Sequence, residues 1–184
     1  MIKKGKKGQG LFGMSFSVIF SIIIIIFIIA VAFFAIKHFV GLNKCTQVGF
    51  FYKDFQDEIE KAWTSGGRYV GDYEGTLPNS GLFGTKLTKV CFGKLNSLNS
   101  GTFETIRQEL LYDFNEDGTA NIFLYPAEEA CAGLESYTLK CRNGNSECMT
   151  TEENFFCVDI GKNGEVIVKL NKKTTDTLVE VSEP

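Results

Sequence analysis

Between Val18 and Ile36 the chain reads VIFSIIIIIFIIAVAFFAI, nineteen residues without a charge. About 20 apolar residues in a helix cross the roughly 30 Å hydrocarbon core of a bilayer. Lipid offers the backbone no hydrogen-bond partner, so a segment crossing it alone must be a helix. Lys3, Lys4, Lys6 and Lys7 stand before the run and bias the N-terminus to the cytoplasmic side. A cleaved secretory signal would have a shorter apolar region, roughly 7–15 residues, closing on small side chains. Here Ala30-Val31-Ala32 continues into Phe33-Phe34-Ala35 instead. The expectation is a basic cytoplasmic leader over 1–10 and a retained transmembrane helix over 11–40. Everything after it stands outside a cell membrane that the chain crosses once.

The outer part is acidic: from Gly41 onward 14 Lys/Arg face 22 Asp/Glu, a balance of −8. That sign argues against nucleic acid as a partner. All six cysteines, Cys45, Cys91, Cys131, Cys141, Cys148 and Cys157, lie in this part. An even number of cysteines in a small domain outside the cytoplasm reads as a disulfide framework. A zinc site would want close cysteine pairs, often with histidine, and no two cysteines stand that near. The only histidine is His38, at the membrane boundary. Six cysteines allow about 15 pairings. Only Cys141–Cys148 can be nominated locally, because Arg142-Asn-Gly-Asn-Ser-Glu147 has a turn-forming centre.

After Gly41, apolar residues recur at Val48, Phe51, Tyr52, Phe55, Ile59, Ala62 and Trp63, the spacing of one helical face. Charged residues fill the intervening positions, and Asp57→Lys61 offers an i,i+4 pair. An amphipathic helix is therefore expected over 41–66, closed by Gly66-Gly67. Residues 67–184 read as β-rich. Candidate strands are 88–92, 109–114, 120–125, 155–160, 165–170 and 177–181, with loops over 67–86 and 93–104. Pro126 opens a segment with room for one helical turn. Asn115-Glu-Asp-Gly118 and Gly161-Lys-Asn-Gly164 suggest two hairpin turns. The expected fold is α+β, one small antiparallel sheet covered by the amphipathic helix.

Asp113-Phe-Asn115-Glu-Asp117-Gly118 matches the opening of a calcium loop. The final bidentate position would be Leu124, so a plain hairpin turn is the preferred reading. No serine nucleophile elbow, phosphate loop, H-E-x-x-H or C-x-x-C occurs. No catalytic residue, metal or cofactor is expected, and the chain reads as non-enzymatic. Ser17-x-x-x-Ser21 is a small-xxx-small spacing suited to close helix approach in lipid.

Lys6-Lys7-Gly8-Gln9-Gly10, the apolar helix from Leu11, its amphipathic continuation and a disulfide-bearing β domain together resemble a type IV pilin-like protein. The likeness is to members with the archaeal class III signal peptide. It implies leader cleavage between Gly8 and Gln9, with the apolar helix kept on the mature chain. It further implies that this helix first anchors the subunit in the bilayer and later packs against other pilin-like subunits. Family members usually carry glutamate at the fifth mature position, where this chain has Gly13. Two functions are thus expected from the sequence: a pilin-like subunit or minor pilin, or an anchored binding or scaffolding domain that never polymerises.

Overall fold

The computed structural model describes residues 16–78, 86–96, 101–114, 119–141 and 147–184. The chain divides into two units between Leu42 and Asn43. Helix α1 spans Phe16–Thr64, and Gly41 and Gly49 both lie within it. Its residues 16–42 belong to the first unit and the rest to the second.

In the first unit the large apolar side chains from Val18 to Phe39 are 41–74% exposed. This part of the helix is long and apolar enough to span a membrane.

In the second unit α1 supplies one buried face, Val48, Phe51, Tyr52, Phe55, Ile59 and Ala62, each 0–2% exposed. These are the positions that the 3–4 spacing marks out. Beyond them the head is mixed α+β with three disulfides. Strand β1 is Tyr69–Thr76, β2 Lys89–Gly93, β3 Ile122–Tyr125 and β4 Ser136–Tyr137. Strand β5 is Met149–Thr151, β6 Phe155–Asp159, β7 Glu165–Lys172 and β8 Val179–Ser182. A second helix, α2, covers Glu104–Phe114, and a single 3₁₀ turn follows Pro126 at Ala127–Glu129.

Among the described residues the strands form two four-stranded sheets, ordered β1-β7-β8-β5 and β4-β3-β2-β6. All pairs are antiparallel except β5 with β8. The single expected sheet is thus two. The turn at Gly161–Gly164 is closed by the Gly164 amide on the Gly161 carbonyl, 2.8 Å. It does not join neighbours in one sheet, because β6 pairs with β2 while β7 pairs with β1 and β8. Residues 161–164 carry the chain from one sheet to the other, and glycine at each end eases that corner.

Two further expectations are corrected. Residues 109–114 are not a strand: they are the last half of α2, so no hairpin precedes β3. Physical necessity lies behind that helix. Strand β3 is apolar at every position and buried on both faces, with Ile122 and Leu124 in the main core and Phe123 in a second one. A sheet buried on both sides needs two covers. The α1 face packs into the main core, while Leu110 of α2 packs with Cys91, Phe123, Phe155 and Cys157 in the second. The segment 67–86 is also not all loop, because it contains β1.

Candidate functional site

The first unit presents a lipid-like surface. The Ser21 hydroxyl donates to the Ser17 carbonyl at 2.8 Å, so the small-xxx-small pair spends this donor within its own helix. His38 meets Phe39 edge-on, with ring centroids 6.3 Å apart.

In the head, hydrogen bonds tie the end of α1 to both sheets. The Lys172 side chain is buried, and its ammonium donates to the carbonyls of Trp63 and Ser65. It thereby satisfies carbonyls left free at the helix C-terminus and sits at the negative end of the dipole. Trp63 Nε1 donates to the Thr177 carbonyl, 3.0 Å. Tyr52 stacks on Tyr137 with centroids 4.7 Å apart, and its hydroxyl donates to the Leu134 carbonyl at 2.8 Å. Burial pushes the Tyr52 hydroxyl far above its ordinary range.

The Tyr69 hydroxyl donates to the Glu58 carboxylate, which also accepts from Lys61 at 2.9 Å. The Tyr69 bond, then the Lys61 bond, hold Glu58 below the usual carboxylate range. The same bond to Glu58 pushes Tyr69 up to about 12. Lys61 therefore pairs with Glu58, not with Asp57, which takes Lys53 at 3.0 Å. Among the groups with altered proton affinity, Tyr69 and Glu58 join β1 to α1.

The six cysteines pair as Cys45–Cys131, Cys91–Cys157 and Cys141–Cys148. The local pair nominated from sequence is among them. Cys91 and Cys157 face each other across β2 and β6. Four of the six are 0–3% exposed and belong to the two cores. Cys45 and Cys131 are half-buried and lie outside both cores.

An open groove of about 470 Å³ runs between α2 and the corner after β3. It is lined by Glu109, Tyr112, Asp113, Tyr125 and Glu128 among others, and by no basic side chain among the described residues. The Tyr125 hydroxyl donates to Glu109 Oε2 at 2.6 Å, and that bond raises the Tyr125 proton affinity. Asp113, the first calcium candidate, lies here at the end of a helix. Asn115 and Asp117 fall outside the described residues, as do Gly8 and Gln9 of the expected cleavage site. Leu124, at the last loop position, is fully buried in β3. Among the described residues no three His, Cys, Asp or Glu side chains converge as metal ligands.

No protein-family model matches the chain, and no curated protein or solved structure does either.

Proposed function

We propose that the chain is a non-enzymatic, single-pass surface protein of pilin-like type, a subunit or minor pilin. Its helix is held in the cell membrane and its head displayed outside. The observation that carries the reading is the contrast along α1. Its first part is apolar around its whole circumference and leaves every large apolar side chain from Val18 to Phe39 at least 41% exposed. Its second part buries one face completely in a disulfide-bonded head. A helix apolar all round wants lipid or other apolar helices, whereas an amphipathic one wants a core. The disulfides fit an oxidising compartment, and the four leader lysines favour the cytoplasm.

The second reading is an anchored binding or scaffolding domain that does not polymerise. Gly13, standing where the family usually has glutamate, favours it. The two separate at the mature N-terminus. Mass spectrometry of the membrane-purified protein should find Gln9 as first residue, and sheared surface filaments should contain the chain. An intact lysine leader and absence from the filament fraction would establish the second reading instead.

A further inference from the structure

Cys45 is the third residue of the head unit and precedes Val48, the first core residue of α1. Its partner Cys131 follows the corner after β3, 86 residues away. Two disulfides lie inside the cores; this one stands outside them, upstream of every buried contact made by the helix. In a head tethered through its N-terminal helix, any outward pull enters the fold at residue 43. Without a cross-link the pull would act at one end of the helix–core interface. Val48, Phe51, Tyr52, Phe55, Ile59 and Ala62, held to the core by non-covalent contacts alone, would then carry the load. With the cross-link the pull passes through a covalent bond before reaching the first of them.

We propose that Cys45–Cys131 is a mechanical staple that routes load from the tether past α1 and β1 into the interior of the head. From Cys131 the covalent route continues through Cys141–Cys148 to β5. Strand β5 pairs in parallel with β8, with Met149 opposite Val179 and Thr151 opposite Val181. A pull that reaches β5 at its start and leaves β8 at its end loads that ladder in shear, all bonds together. The staple therefore hands the load from the helix–core interface to this ladder. The inference rests on the surface-anchored reading for its purpose, but the staple itself does not depend on where the protein resides.

The test is single-molecule pulling of the full chain in detergent micelles, with one handle at each terminus. With the disulfides intact, the extensible route from residue 43 to Pro184 bypasses 45–131 and 141–148, and its contour is about 170 Å at about 3.5 Å per residue. In Cys45→Ser/Cys131→Ser the route runs to Cys91 and on from Cys157, about 260 Å. That variant should also show an early rupture at no more than half the native force. Cys141→Ser/Cys148→Ser, which loses a disulfide too, should lengthen the route by about 25 Å without an early rupture. Phe55→Ala keeps every disulfide and weakens the helix contact. It should lower the first rupture force of the stapled chain by a smaller fraction than that of the Ser/Ser chain, where the helix contact bears the load directly. An equal fractional fall with Phe55→Ala in both backgrounds overturns the proposal, as does a Ser/Ser variant opening at native force. Neither outcome bears on membrane anchorage, which is read separately from whether the chain stays in washed membranes.

Discussion

Gly93 ends β2 with φ of +118°, and a Cβ there would stand 2.1 Å from the Asn154 carbonyl oxygen. Both the dihedral and the approach of Asn154 exclude any side chain. Gly93→Ala should cost about 1–3 kcal/mol or more, read as a lower urea midpoint. On α1, Phe55 is fully buried while Phe50 is 59% exposed. Phe55→Ala should therefore cost about 3–5 kcal/mol and Phe50→Ala less than about 0.5. The bond between Tyr69 and Glu58 links the stability of the head to pH. Glu58 is held below its ordinary value, so its contribution is present above the unfolded carboxylate range and fades as pH falls through the lowered one. Tyr69, pushed up to about 12, contributes fully below the ordinary tyrosine range, and that part is lost as pH rises toward about 12. Glu58→Gln should flatten the acid limb of the stability curve, and Tyr69→Phe should flatten both limbs. An unaltered acid limb in both variants would show that the Tyr69–Glu58 bond contributes nothing.

Elements were unequally legible. The head portion of α1 was readable because six apolar residues keep helical spacing while charges fill the gaps. Strand β1 was not, because Gly71, Asp72, Glu74 and Gly75 carry the composition of a loop. Its reason is tertiary: a Cβ at Gly75 would lie 2.7 Å from the Phe51 ring, so the glycine admits the helix to the strand. Helix α2 was hidden by Leu110-Leu111-Tyr112, which suits a strand equally well. A signal was nevertheless present in Phe103, Ile106, Leu110 and Phe114, spaced three or four apart. The unbroken apolar run Ile122–Tyr125 also demanded a second cover. Leu110→Ala removes the buried centre of α2 and should cost about 2–5 kcal/mol, measured by chemical denaturation. The long-range disulfides could not be read, because Cys91 meets Cys157 only once β2 and β6 are neighbours. Closing 86- and 66-residue separations constrains the unfolded chain by about 4.5 kcal/mol each, against about 2.5 for the seven-residue separation of Cys141–Cys148. Loss of either long link should thus lower the thermal midpoint more than loss of the short one.

At the scale of the molecule, one helix carries two kinds of surface, a first part apolar enough to span a membrane and a second part amphipathic. The sequence announced the division plainly, since an apolar run of nineteen residues gives way to alternating charge within a few turns. What the head touches was not legible, because the groove beside α2 combines carboxylates and tyrosines without a motif, and groove shape depends on a helix that sequence patterning hid. Residence in the bilayer is the condition on which the proposed function depends. Partition of the full-length protein after washing native membranes with alkaline carbonate measures it most directly. The chain should remain in the pellet with integral proteins and enter solution only with detergent. Recovery of the full-length chain in the carbonate supernatant would contradict the account.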